Sequence, residues 1–261
     1  MSLLDRLLRR RSEDPAPALA RARALAAAGD HAGALAIWEP LARQGNARAQ
    51  NNIGACFAEG LGVARDLALA HRWIGLAAES RDPVAQRNLA ALHFRGEGVP
   101  QDDVEAAWRY RLAAENGDAP AQDMLAYMLL EGLGLDRDPV QARRWSERAA
   151  AAGVARAMTR LGTIHNEALG TPRDPVKAVA WWRRAADRGD ADGQALLGAA
   201  LLVGLGAPRD AVAALAWLIR AQDGGSLKAA AYLPTARGAN DAEGLAEAER
   251  RAAAPLPGGA A

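Results

Sequence analysis

One spacing constrains this chain more than any other feature. Gly60, Gly96, Gly132 and Gly204 stand at multiples of 36 residues, and so do Asp66, Asp102, Asp138, Asp174 and Asp210. Ala70, Ala106, Ala142, Ala178 and Ala214 keep the same register. A fixed period of this size implies stacked copies of one supersecondary unit, each burying the face its neighbour leaves open. The fullest copy runs from Glu131 to Gly153: Glu-Gly-Leu-Gly-Leu, then Arg137-Asp138-Pro139, Ala142, Trp145, Ala149-Ala150 and Gly153.

The unit is expected to be helical. Half of the residues are apolar, Ala dominates them, and Pro sits mainly in loops and at helix starts; that balance favours helix over strand. Five units are predicted, at 46–81, 82–117, 118–153, 154–189 and 190–225. The first helix of each begins at a capping residue (Asn46, Asp82, Asp118 or Asp190, with Val154 the exception) whose side chain can pair amides the helix leaves open. Ala49, Ile53 and Phe57 recur at i, i+4, matched by Ala85, Leu89 and His93 and by Ala121, Leu125 and Leu129, which makes one buried stripe.

The Gly-x-Gly segment then closes the helix, because glycine enters the left-handed region without a Cβ clash. An ordered loop leads to the Asp that caps the second helix, twice as Asp-Pro (Asp138-Pro139 and Asp174-Pro175). Ala70, Trp73, Ile74 and Ala77 form that helix's stripe, as do Ala178, Trp181, Trp182 and Ala185. The Trp side chains are expected to fill the space between hairpins. Gly54, Gly162 and Gly198, with Ala90 and Ala126 in the same slot, let paired helices approach. Arg109 takes the Trp slot in the second unit, beside Trp108 and Tyr110, so a local rotation or an exposed patch is expected there. Gly117, Gly153, Gly189 and Gly225 turn the chain into the next unit. Arg81 replaces this glycine in the first unit and predicts a less ideal turn.

The ends depart from the repeat. Residues 1–13 form a basic amphipathic segment, with Leu3, Leu4, Leu7 and Leu8 at i, i+4 spacing and Arg6, Arg9, Arg10 and Arg11 making it cationic. It is expected to dock on the first repeat, or to touch an anionic membrane surface through residues 1–11. Residues 14–45 read as a tetratricopeptide-like helix pair, about 15–28 and 31–44, capped by Asp14 and Asp30. Residues 226–253 read as C-terminal capping helices. Ser226 stands at a cap, Pro234 should cut the first helix short, and a last helix over 240–253 should start at Asn240 or Asp241. The tail 254–261 is expected to be disordered.

These residues resemble the Sel1-like repeat family, a relative of the tetratricopeptide repeat with a 36-residue unit. The resemblance rests on the Ala-x-x-x-Leu-Gly opening (Ala157 to Gly162), the Gly-x-Gly loop, the Asp–Ala–Trp spacing and the Ala-Ala-x-x-Gly close, in five copies. It implies an all-α fold, a right-handed α/α superhelical solenoid of helix hairpins that serves as an adaptor or scaffold. Some members carry a pair of cysteines bridging each unit and are secreted. This chain has Cys56 alone, which fits a reducing compartment and a cytoplasmic protein.

No catalytic, metal or cofactor arrangement is legible. His31, His71, His93 and His165 have no metal-ligand spacing, and the Gly-x-Gly segments follow helices and lack the Lys of a phosphate loop. No enzyme activity and no cofactor are expected. A net charge of +1 gives no footprint for nucleic acid, and a monomer is favoured. The expected partner is a protein or peptide segment in the concave groove that the first helices would line by the tetratricopeptide analogy. The candidate residues are Arg48, Asn51 and Asn52; Arg87, Asn88 and Arg95; Asp123 and Tyr127; Thr159, Arg160 and Thr163. Asn and Arg can grip a peptide backbone or carboxylate. A second candidate surface is the loop ridge Arg65, Arg137, Arg173 and Arg209. The competing reading is a membrane adaptor anchored through the N-terminal segment.

Overall fold

A computed structural model of the chain describes residues 14–256. The expected segment 1–13, with its membrane contact, and residues 257–261 lie outside the described residues. The chain divides into two compact units, Met1–Asp118 and Ala119–Ala261. The first contains α1 (Pro15–Ala27), α2 (His31–Arg43), α3 (Ala47–Glu59), α4 (Leu67–Glu79), α5 (Pro83–Arg95) and α6 (Asp103–Glu115). The second contains α7 (Ala119–Glu131), α8 (Pro139–Ala151), α9 (Ala155–Asn166), α10 (Pro175–Ala186), α11 (Ala191–Val203), α12 (Ala211–Asp223), α13 (Ala229–Gly238) and α14 (Ala242–Ala253). No strand occurs among the described residues. No helix among them is long and apolar enough to cross a membrane.

Each repeat is a helix hairpin whose local chemistry recurs. Asp66, Asp102, Asp138, Asp174 and Asp210 each accept a hydrogen bond from the amide three residues on, at 2.9 Å. Such a cap is worth about 1 kcal/mol. The amide of the same Asp donates back to the carbonyl nine residues earlier, of Phe57, His93, Leu129, His165 or Leu201, at 2.8–3.0 Å. That slot therefore works through its backbone, and its side chain is free to be Phe, His or Leu. Asn46, Asp82 and Asp190 cap the first helices of their repeats. Val154 gives α9 no side-chain cap.

The core follows the predicted first-helix stripe. Ile53, Leu89, Leu125, Leu161 and Leu197 occupy one slot and are all buried, each contributing about 1.5–3 kcal/mol. Gly54, Gly162 and Gly198 lie where a Cβ would meet Ile74, Trp182 and Leu218 of the partner helix, so close approach is the reason for those glycines.

The second-helix stripe differs from expectation by one residue. The recurring Trp slot (Trp73, Trp145, Trp181, Trp217) is only half-buried. The next residue (Ile74, Tyr110, Ser146, Trp182, Leu218) is the buried one. From this slot Trp73, Trp181 and Trp217 still pack against the core with one side, while Trp145, Trp181 and Trp217 are stacked under the guanidinium three residues on, of Arg148, Arg184 and Arg220, at 4.2–5.6 Å. Of the two outcomes expected at Arg109, the exposed patch is the one found, because Tyr110 keeps the core slot and no rotation is needed. Arg109 bonds Glu105 and Gln86, while Trp108 is left 49% exposed.

Two turns run without glycine. Arg81 has φ 59° and Ala168 φ 58°, both in the left-handed region. A side chain there costs about 1–2 kcal/mol. The second glycine of the loop has a different duty. A Cβ on Gly98 would press on the Leu67 carbonyl, and one on Gly206 on the Pro175 carbonyl. Both also have positive φ. These two loops thus rest their backbone on the start of the preceding repeat's second helix.

The C-terminal expectations are corrected in three places. Pro234 does not end its helix; α13 runs through it to Gly238. Ser226 does not cap that helix, which starts at Ala229, and its hydroxyl donates to Asp192 instead, at 2.6 Å. Residues 254–256, expected to be disordered, are placed: Arg220 donates to the carbonyls of Arg251 and Ala254. Asp241 caps α14, which packs on α12.

Candidate partner-binding site

Helices of adjacent repeats meet along recurring polar contacts, and most of the candidate residues belong to them. In the first unit Asn88 donates to Asn51 across repeats, at 2.9 Å. Arg87 donates to the Asp118 carboxylate at 2.8 Å. Asn51 is buried, contrary to the expectation of an open face, because first helices of successive repeats cover each other's flanks. Arg48, Asn51 and Asn52 border a hollow of about 380 Å3 with Leu19 and Arg23. Arg48 is exposed and Asn52 half-buried. Arg95 is exposed and pairs with Glu97 at 2.8 Å.

The second unit carries a larger feature. A cleft of about 950 Å3 runs along the first helices α7, α9 and α11, a volume within the range of ligand sites. Tyr127, Thr159, Arg160 and Thr163 line it, with Met124, Leu196 and Arg156 beside them. Asp123 lies beneath and is fully buried. Its carboxylate accepts from Arg156 Nε at 2.9 Å and from Arg160 Nε and Nη2 at 3.2 and 3.0 Å. Arg160 also lies over the Tyr127 ring at 5.3 Å. Thr159, 8% exposed, donates to Asp190 at 2.7 Å, and Thr163 to the Thr159 carbonyl at 3.3 Å. Burial works to raise the Asp192 carboxyl, but hydrogen bonds from Lys228 and Ser226 and the Lys228 charge outweigh it and hold it below the usual range.

The loop ridge is structural in three of its four members. Arg65, Arg137 and Arg173 each donate Nε to a first-helix carbonyl seven residues back, at 2.8–3.0 Å. They satisfy carbonyls that a helix end leaves open. A glutamine row escaped the sequence reading. Gln50, Gln86 and Gln194 donate to the carbonyls of Ala42, Ala78 and Ala186, stitching each first helix to the preceding second helix. The signal was visible as Gln50, Gln86, Gln122 and Gln194 in register, with Met158 as the exception.

The histidines and the cysteine sit apart from the cleft. His71 packs edge-on to His93 at 5.4 Å between ring centres. Burial, with the charges of His93 and Arg109, lowers its pKa. Burial also lowers His165, with Lys177 and Arg143 adding to it. Cys56 is buried, and burial pushes its thiol up. Among the described residues no three His, Cys, Asp or Glu side chains converge as metal ligands would.

Comparison with known proteins places this architecture. The family described as Sel1 repeat matches at 47–82, 83–118, 119–154, 155–190 and 191–226, each one residue later than the predicted unit. A Sel1 repeat protein from Oxalobacter formigenes is similar in structure, with a TM-score of 0.80 and 29% identity, over 90% of this chain and 96% of that one. A protective antigen present in uropathogenic Escherichia coli strains, displaying an SLR fold, gives a TM-score of 0.72 and 30% identity over 84% of this chain. This chain spans about half of that antigen, 48% of it being covered. A Sel1 repeat protein from Klebsiella pneumoniae subsp. pneumoniae, at 21% identity and a TM-score of 0.51, shares the fold, over 77% of this chain and 97% of that one. No curated protein matches the chain. The five matched repeats cover more than half of the sequence, each coinciding with one helix hairpin, and the chain belongs to the Sel1 repeat family.

Proposed function

We propose that this protein is a non-catalytic scaffold that holds a segment of a partner protein in the cleft along α7, α9 and α11. Sel1 repeat proteins generally mediate protein–protein interactions. The observation that carries the reading is the cleft itself, about 950 Å3 and lined by an apolar strip, Met124, Tyr127 and Leu196, between charged groups. That mixture suits a peptide, whose backbone needs hydrogen bonds and whose side chains need apolar contact. With one buried cysteine and no cysteine pair to bridge each repeat, the proposed setting is the cytoplasm.

Selection from a random dodecapeptide display library tests the reading. The comparison is the Thr163→Trp variant, which fills the cleft from a half-buried position. Peptides enriched on the natural protein are expected to lose about tenfold in affinity on the variant, on the scale of a disrupted interface anchor, with unchanged circular dichroism. Peptides that bind both proteins alike overturn the cleft as the partner site.

A further inference from the structure

Taking the cleft as the partner site, its unused hydrogen-bonding groups say what the partner segment carries. At the amino end of α9 the carboxylates are already engaged. Asp123 accepts from two arginines, Asp190 from Thr159 and from the Gly193 amide, and Asp192 from Ser226 and Lys228. What stays uncommitted there is donors. Arg156 uses only Nε on Asp123 and is 65% exposed, and Arg160 keeps Nη1. Two guanidinium groups on one carboxylate leave donors facing the cleft, held in place by a buried anchor.

The other end is the reverse. Glu131 and Glu167 both line the cleft where α7 and α9 finish. Neither side chain has a hydrogen bond or ion pair among the described residues. Arg137 lies at the same end, but its Nε is committed to the Leu130 carbonyl, and two carboxylates outnumber it. The carboxyl ends of the two helices add partial negative charge. Between the ends lie Met124, Tyr127 and Leu196, and Leu130 and Leu169 lie beside the two glutamates.

The geometry points to a partner segment in which an acidic and a basic residue flank apolar ones. The acidic residue sits on Arg156 and Arg160, and the basic residue on Glu131 and Glu167. The spacing follows from the helix. Arg156 to Glu167 is about 16 Å at a rise of about 1.5 Å per residue. An extended chain at about 3.3 Å per residue covers that in about five residues. Asp123 acts as a positioning residue for the arginine pair.

Three end-blocked, fluorescein-labelled hexapeptides test this by anisotropy at low salt: Asp-Leu-Ala-Leu-Ala-Lys, Ala-Leu-Asp-Lys-Leu-Ala and the neutral Asn-Leu-Ala-Leu-Ala-Gln. The first is expected to bind about five- to tenfold tighter than the others, the scale of two partly exposed charge pairs. A Glu131→Lys, Glu167→Lys double variant with a native circular dichroism spectrum should prefer the same peptide with Asp in place of Lys. Equal affinity for all three peptides, or no change of preference in the double variant, overturns the charge pattern. If display-selected peptides still need the cleft, partner binding stands and only the pattern falls. If they do not, the binding reading itself falls.

Discussion

The same inter-repeat position is built in two chemistries. In the first unit Asn88 reaches back 37 residues to Asn51, a neutral amide pair. In the second Arg160 reaches back 37 residues to Asp123, and Arg156 joins it. The amide pair largely satisfies itself and offers a ligand little. The carboxylate is shared by more donors than it can use, so part of each guanidinium is left over. A contact that holds repeats together in one unit becomes, one pair of substitutions later, a contact that also presents charge to a cleft.

Removing the buried anion should have the largest effect. Asp123→Ala strands Arg160, only 13% exposed on its side chain, and is expected to cost about 3 kcal/mol in urea unfolding, as broken buried ion pairs do. Asn51→Ala removes one neutral bond and should cost about 1 kcal/mol. Equal losses would break the comparison. Next comes the joint change Asp123→Asn with Arg160→Asn, which gives the second unit the amide pair of the first. It should recover most of the Asp123→Ala loss, leaving about 1 kcal/mol, while abolishing the cleft's charge preference.

The turns give a smaller test, again with one example per unit. Arg81→Gly and Ala168→Gly each relieve a left-handed side chain and should each stabilise by about 1 kcal/mol, the unfolded-chain entropy of glycine offsetting part of the relief. A loss of stability in both would show that the side chains make compensating contacts.

The smallest effect is a pH trend. His71 and His165, one in each unit, have lowered pKa values in the folded state. The unfolded chain therefore takes up the proton first, and their contribution to stability is complete above pH about 6.5 and falls as the pH drops below it. The melting temperature at pH 5 should lie below that at pH 7.5, and His71→Gln with His165→Gln should narrow the gap. An unchanged gap would assign the trend to other groups.

The hairpins were legible because their signals are local. Asp caps, a glycine at positive φ and an i, i+4 stripe each act within one helix or turn. The site was only partly legible for the opposite reason. Sequence period shows which face of a helix is buried, but a first helix in a stack is covered by its partner and on both flanks. Asn51, Asp123 and Thr159 fall on those flanks, while Tyr127, Arg160 and Thr163 fall on the narrow strip left open. The Trp slot was misplaced because a large aromatic suggests core; an arginine three residues on lets it lie half-buried. Pro234 reads as a stop, but α13 carries it inside the helix and continues to Gly238.

The resting of Gly98 on Leu67 and of Gly206 on Pro175 has an evolutionary consequence. Where successive modules meet at these points, backbone touches backbone and no particular side chain is required of the neighbour. At these points modules can be duplicated or exchanged without redesign, and only the side-chain pairs such as Asn51–Asn88 and Asp123–Arg160 must be matched. Away from these points, side chains on the first helices are free to differ between copies, as the Asn51–Asn88 and Asp123–Arg160 pairs do.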